Sequence, residues 1–416
     1  MSKYTNMNVY NTYNLLKKGC LRMKQYGELK PSERILMGPG PSNVDPVVLR
    51  AMSAPILGHL DPEFLVIMND TMELMRYVFQ TKNQLTMAMP GTGSAGMETV
   101  LANMIEEGDK VIVCVNGVFG GRMQDICQRL KADVTTISAP FGKIIELDDI
   151  KDALDKTGAK YVAIVHAETS TGVLQPIEEV SKLCKQYDAM LLVDCVTSLA
   201  GCELKIDEWG IDAAYSGTQK CISCPPGLAP VTFNERAQQV INNRKTKVPI
   251  WYLDLTMIQN YWGQQRAYHH TAPINMNYAL REALRLIYEE GLENRFTRHE
   301  LNSQALKSGL EAMGMKMWAQ EGHRLPMLTS AVIPDGVDDV TVRKYLLERF
   351  GIEIGGGLGE GKGKVWRIGT MGYTCNEKNV LLFLTSLESA LKAQGYKIEA
   401  GIGAATAMAV YAKKGQ

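Results

Sequence analysis

The chain has 416 residues, 45% of them apolar and 22% charged, with 45 Lys plus Arg set against 45 Asp plus Glu. A formal net charge of zero excludes the global basic footprint of a nucleic-acid binder. No apolar run approaches the length of a membrane span, and two domains are the expectation for a chain of this size.

Residues 1–33 are polar, rich in Asn and Tyr, and lack the apolar stretch of a secretion signal, so they read as an arm. The last residues, "AKKGQ", are no peroxisomal address. "RILMGPGPSNVDPVVLRAM" then gives a strand-like start, a Gly-Pro turn and a helix. Apolar runs and amphipathic stretches alternate after it: strand "NQLTMAMPG", helix "SAGMETVLANMIEEG", strand "KVIVCVNG", helix "GGRMQDICQRLKA", strand "KYVAIVHAE", helix "IEEVSKLCKQYD". "AMLLVDCV", "AAYSG" and "APVTFN" follow as strands. Continuous Val/Ile/Leu runs separated by helices predict an α/β fold with a buried, mainly parallel sheet, covered on both sides, over residues 34–290. Residues 276–314 predict one long helix bridging to a smaller α+β domain over 291–416, built as helix, hairpin and helix. The tail after 395 reads either as a packed helix or as a frayed end.

Three motifs invite chemistry. "GTGSAG" (Gly91 to Gly96) follows a strand and opens a helix, as a dinucleotide site does, but the next strand ends in Asn116 and Gly117 rather than an acid. What survives is the general capacity of a helix N-terminus for phosphate, here Thr92, Gly93 and Ser94, beside the plain reading of a tight turn. "GGLGEGK" mimics a P-loop, yet Gly363 stands where Ser or Thr would hold magnesium. Nine cysteines are scattered without framework spacing, which predicts reduced thiols and a cytoplasmic protein. Cys221-x-x-Cys224 is the tight pair, with no second pair or histidines to complete a metal site, so no metal is expected.

Two strand ends line up: "AMLLVDCV" ends near Asp194 and "DAAYSGTQK" near Lys220. In an open α/β sheet the carboxyl ends of the strands form the ligand crevice. A lysine, a carboxylate and a phosphate cup are what pyridoxal phosphate requires, for its Schiff base, its ring nitrogen and its phosphate. Taken singly, Asp194 also reads as a turn cap and Lys220 as a solvated charge.

"LMGPGPSNVDPVVL", "HAETSTGVLQP", "LLVDCVTSLAG", "YSGTQKCISCPPG", "YHHTAP" and "GKVWRIGTMG" follow one another in the order of a known family. From about residue 33 to 395 the chain resembles the class V aminotransferases of the fold-type-I pyridoxal phosphate superfamily, and within them the alanine–glyoxylate, serine–pyruvate and ureidoglycine–glyoxylate enzymes. The resemblance implies Lys220 as Schiff-base lysine and Asp194 as partner of the ring nitrogen. It implies Val196 and Phe119 packed on the ring, Thr169 on its phenolic oxygen, and Gln219, Thr92, Gly93 and Ser94 at the phosphate. Relatives often have histidine where Ser94 stands, which puts part of that cup in doubt. Arg367 matches the arginine that grips the substrate carboxylate, a task suited to a planar guanidinium; Gly40 and His59 fall beside the substrate. Tyr268 and Thr271 match residues that reach the phosphate from a neighbouring subunit, which implies a homodimer. The implied reaction is a two-step transamination from alanine or serine to glyoxylate or pyruvate.

Three other readings remain open. The ends of the chain and "YTCNEKNVLLFL" resemble the ureidoglycine branch, but "GHLDP" and "YHHT" put His59 and Tyr268 where that branch carries amides. A cysteine desulfurase needs a mobile loop cysteine, for which Cys375 is the small-domain candidate; a non-catalytic binding protein of the same fold would lack Lys220. His59 also has an ordinary reading, as the cap of the helix that begins at Asp61.

Overall fold

The computed structural model describes residues 26–263 and 265–414. Residues 26–33 are exposed and carry neither helix nor strand, and the rest of the expected arm lies outside the described residues. From Arg34 onward the chain forms one compact unit. Its centre is a seven-stranded sheet in the order Leu85–Pro90, Leu228–Phe233, Ala213–Tyr215, Met190–Asp194, Tyr161–Val165, Lys110–Val115, Asp133–Ser138. Leu228–Phe233 runs antiparallel to both neighbours, and the remaining pairs are parallel.

The continuous apolar runs become the central strands because both of their faces are covered by helices. Tyr161–Val165 and Met190–Asp194 are buried at every position. Sequence patterning does not single out Asp133–Ser138, and its place explains why. It is the exposed one of the two edge strands: it keeps polar, half-exposed residues and shows no apolar run, whereas the other edge, Leu85–Pro90, is buried throughout.

A second apolar cluster is built around the three-stranded antiparallel sheet of Leu328–Val332, Val365–Gly369 and Gly355–Gly356. It contains Trp366, Ile368, Phe383 and Leu387, all fully buried. Met37 also belongs to it, and Ile35–Leu36 pairs in parallel with Ile352–Glu353. The stretch just after the arm therefore packs with the C-terminal cluster, although the sequence reading groups it with the large sheet. "GGLGEGK" lies in the loop of the hairpin, where only a three-residue turn, Gly359–Gly361, forms and no helix follows. The phosphate-loop likeness ends there.

The expected single bridging helix is two helices, Ile274–Glu290 and Leu292–Ala312. The break is Gly291, at φ 78° and ψ 140°, a conformation nearly restricted to glycine. Leu292 packs in the first cluster while Ala305, Leu306 and Leu310 pack in the second, so the second helix still links the two. The tail forms a helix, Ile402–Lys414, with Ala407 fully buried in the second cluster. It packs on Leu292–Ala312 of its own chain, where a Cβ on Gly309 would come 2.8 Å from the Gly403 carbonyl oxygen.

Gly291→Ala separates the two descriptions by sign. A Cβ there meets only the Asn294 side chain, at 3.7 Å, so its cost is that of the backbone conformation. The kinked structure loses about 1–3 kcal/mol, whereas a continuous helix would gain about 1 kcal/mol from removing an internal glycine. Thermal unfolding of the two proteins reads the sign.

Candidate active site

The carboxyl ends of the central strands enclose a cavity of about 170 Å³. Nine of the residues expected at a site line it: Thr92, Gly93, Ser94, Phe119, Thr169, Asp194, Val196, Gln219 and Lys220. Asp194 is the last residue of its strand, paired with Val165 on one side and Tyr215 on the other. Its Oδ1 accepts from the Val196 amide at 2.9 Å and its Oδ2 from the Tyr215 hydroxyl at 2.8 Å. Burial nonetheless pushes its carboxyl up to about 6, against the pull of those two donors.

Lys220 stands in the turn that follows the next strand, and its backbone carbonyl accepts from the Ser42 hydroxyl at 2.8 Å. The residue is 9% exposed, and its amine donates to the Pro39 carbonyl. Burial, followed by the Arg367 charge, brings it down to about 8. A larger share of the amine is therefore neutral near physiological pH than an exposed lysine would show. Gly40, at φ 102°, is glycine for two reasons: the left-handed backbone, and a Cβ that would sit 2.7 Å from the Lys220 Nζ.

The opposite wall is the N-terminus of the helix Gly93–Met104. Thr92 is its cap residue but makes no side-chain capping bond, and both Thr92 and Ser94 are exposed. A Cβ on Gly93 would come 3.2 Å from Val196, and one on Gly217 would come 2.8 Å from Gln219 Oε1. That buried Oε1 has no hydrogen-bond partner. Free helix-end amides, unused hydroxyls and an orphaned carboxamide are the features a phosphate-bearing group would satisfy. The residues present therefore fit pyridoxal phosphate: Thr92, Gly93, Ser94 and Gln219 toward its phosphate, Phe119 and Val196 toward its ring, Asp194 toward its nitrogen.

Arg367 is buried on Val365–Gly369 and does not line the cavity. It borders the cavity through Thr169, whose carbonyl accepts from its guanidinium at 3.3 Å, while Nε donates to the Gly356 carbonyl at 2.7 Å. Burial lowers it to about 10, with the Glu168 charge opposing. His59, Tyr268 and Thr271 stand elsewhere. Tyr268 is 61% exposed, and its ring lies 5.1 Å from that of His59. The helix cap next to His59 is Asp61, whose carboxylate accepts from the Glu63 amide at 2.8 Å; His59 offers only its carbonyl, to Tyr261. The capping role considered for His59 is thus filled by the shorter acidic side chain.

Sequence reasoning misses Tyr215, Arg122 and Glu168. Tyr215 could have been found from the pairing of strand ends. Arg122 lines the cavity, 4.8 Å from the Phe119 ring centroid and one helical turn along from it. Glu168 is fully buried and accepts from the amides of Phe119, Gly120 and Ser170 and from the Ser170 hydroxyl. It caps the helix that carries Phe119 and leaves Gly117 no room for a Cβ, which would lie 2.3 Å from its Cγ. The cysteines read oppositely. Cys221, Cys224 and Cys375 are buried free thiols, and burial pushes Cys221 and Cys375 up to about 12. That burial argues against Cys375 as the mobile loop nucleophile.

The raised carboxyl of Asp194 has a stability consequence in the cofactor-free protein. The folded state binds this proton more tightly than the unfolded chain does, so stability is lost as pH rises from about 4 through 6. Asp194→Asn removes that loss, and the cofactor-free variant is expected to exceed wild type by about 1–3 kcal/mol at pH 8. Denaturant unfolding at pH 5 and pH 8 checks it; a gap that does not widen with pH refutes it.

The class-V aminotransferase family model matches residues 36–365. The chain is 44% identical over 408 residues to the (S)-ureidoglycine–glyoxylate transaminase of Bacillus subtilis (strain 168), covering 94% of this chain and 98% of that one. It is 41% identical over 363 residues to the alanine–glyoxylate aminotransferase of Callithrix jacchus, covering 86% and 88%. A crystal structure of alanine–glyoxylate aminotransferase from Nostoc sp. superposes with a TM-score of 0.88 at 48% identity, over 89% of this chain and 98% of that one. With a lysine, a carboxylate and an open helix N-terminus gathered at the strand ends, the chain belongs to the class-V aminotransferases and is a pyridoxal-phosphate-dependent aminotransferase.

Proposed function

We propose that this aminotransferase passes the amino group of alanine or serine to glyoxylate, with pyruvate as a lesser acceptor. The observation that carries the acceptor is that the three relatives compared above, at 41–48% identity and with different donors, are named for glyoxylate.

The roles follow from the positions. Bound pyridoxal phosphate supplies a carbonyl for the amine and a ring that holds the electron pair released at the substrate Cα. Lys220 Nζ, lowered to about 8 and therefore partly neutral, is the base that takes and returns the Cα proton. Asp194 keeps a proton on the ring nitrogen, and the positive charge there favours its own ionised form. Thr92, Gly93, Ser94 and Gln219 hold the phosphate, Thr169 orients the ring oxygen, and Phe119 and Val196 pack the ring faces. Arg367 orients the α-carboxylate in a bidentate pair.

Tyr268 and Thr271 are exposed and stand off this chain's own cavity, which supports a homodimer in which they serve the partner's site. Lys220→Ala chains and Tyr268→Phe/Thr271→Val chains are each expected to be inactive alone and to regain about one working site per hybrid dimer. Absence of recovery in verified hybrids would place each site within one chain. Borohydride reduction should label Lys220, and a label on another lysine would remove it from its role.

A second donor reading, (S)-ureidoglycine, is favoured by coverage, since the match to that enzyme spans 408 residues against 363 for the mammalian alanine enzyme. Against it stand His59 and Tyr268, which lie together as one pair of rings and offer a ureido group no amide partners. An unpaired buried polar group costs about 1–3 kcal/mol, or roughly one to two decades in selectivity. Steady-state kinetics with glyoxylate is expected to give kcat/KM for alanine or serine at least tenfold above freshly generated ureidoglycine, a margin set by that cost of about 1–3 kcal/mol. The reverse order establishes the second reading.

A further inference from the structure

The first turns of the helix Leu292–Ala312, with the last residue of the helix before it, form a charged centre behind Lys220 in which Arg295 and His299 are buried and Glu290 and Arg298 half-buried. Glu290 accepts from Arg295 at 2.6 Å and from Arg298 at 2.6 and 3.0 Å. Burial raises its carboxyl, but the two arginines outweigh it and hold it below the usual range. His299 adds no charge, because burial and the neighbouring arginine charges push it down to about 3. Two guanidiniums against one carboxylate leave a surplus positive charge, buried at Arg295 and partly exposed at Arg298, and the buried part must be solvated by dipoles.

The dipoles that do so come from the loops of the active site. Arg295 donates from Nε to the Ala200 carbonyl at 3.0 Å, in the loop after Asp194, and from a terminal nitrogen to the Cys221 carbonyl, next to Lys220. Arg298 donates to the carbonyls of Gly372 and Cys375, at 2.8 and 2.7 Å, in the loop that follows the Arg367 strand. His299 Nε2 accepts from the Gly372 amide at 2.9 Å, which leaves Nδ1–H for the Arg295 carbonyl at 2.8 Å. Two hydroxyls close the circuit: Ser42 bonds the Lys220 carbonyl and lies 3.2 Å from Ser223 Oγ, which accepts from the Tyr373 amide at 2.7 Å.

Backbone strain points the same way. Ala200 and Ser223 are non-glycine residues at φ 64° and 55°, one in each of the two loops that Arg295 bonds. Such conformations persist only where surrounding contacts over-determine them. We propose that Arg295 is a positioning residue for Lys220 and Asp194, that Arg298 and His299 position the strand end behind Arg367, and that Glu290, shared by both arginines, sets the register between the amine and the carboxylate-binding arginine. None of the four touches the cavity, so they act only through the loops they hold.

The proposal rests on the roles given above to Lys220 and Arg367, and the experiment separates the two. Capture of pyridoxal phosphate at Lys220 by cofactor-free wild type tests the first role, and a raised KM for glyoxylate in Arg367→Lys tests the second; the pattern among the other variants tests the centre. Arg295→Lys keeps the charge but cannot bond both loops and Glu290 together. It is expected to slow capture about tenfold, since small misplacement of reacting groups is costly, with KM for glyoxylate within about twofold of wild type. Arg298→Lys and His299→Gln are expected to do the reverse, raising KM about tenfold with capture within about twofold. Ser42→Ala loosens the Lys220 carbonyl from the other side and decides the capture arm if Arg295→Lys does not fold. Parallel changes of both readouts in every soluble variant, or normal capture in both Arg295→Lys and Ser42→Ala, overturn the proposal.

Discussion

Everything at this site depends on keeping a carboxyl and an amine dry at neighbouring strand ends. In water Asp194 and Lys220 would carry opposite, unremarkable charges. Buried, the carboxyl moves up to about 6 and the amine down to about 8, each driven first by loss of solvent. The fold prevents further drift by giving Asp194 two donors and Lys220 the Pro39 carbonyl. The result is a pair of groups close to the point where either can exchange a proton at neutral pH.

The sheet makes that burial possible, and the second cluster gives it direction. Parallel strands end together, so residues far apart in sequence arrive at one rim: the helix start at Gly93, the Asp194 loop and the Lys220 turn. Arg367 comes from a different sheet and reaches the rim only through Thr169. The distance between the Lys220 amine and the Arg367 guanidinium is thus a property of how the two clusters pack, with the helix Leu292–Ala312 contributing to both.

What was legible in the sequence follows a pattern. Lys220, Asp194 and the Thr92–Ser94 cup could be read because each sits where an apolar run stops, and a run that stops is a local signal. Glu168 and Arg295 could not, because each works through a bond to a segment 49 or 74 residues away. The long helix was misread at Gly291 because one glycine interrupts the apolar pattern without ending it. The strand Asp133–Ser138 is not legible because it is the exposed edge of the sheet and carries no apolar run, unlike the buried edge Leu85–Pro90. Tyr268 and Thr271 were expected at a phosphate, and in a single chain they stand apart from one; family order fixed their identity but not their neighbourhood.

Burial of the thiols has a consequence for chemical selectivity. A pyridoxal enzyme works with an aldehyde, and aldehydes are trapped by thiolates. Cys221 adjoins Lys220, and Cys195 and Cys224 lie within a few residues of Asp194 and Lys220, yet all three are buried and their thiols are raised far above neutrality. At neutral pH they stay protonated and weakly nucleophilic. A pair of residues that looks reactive on paper is silenced by packing, so the carbonyl meets an amine and no competing sulfur.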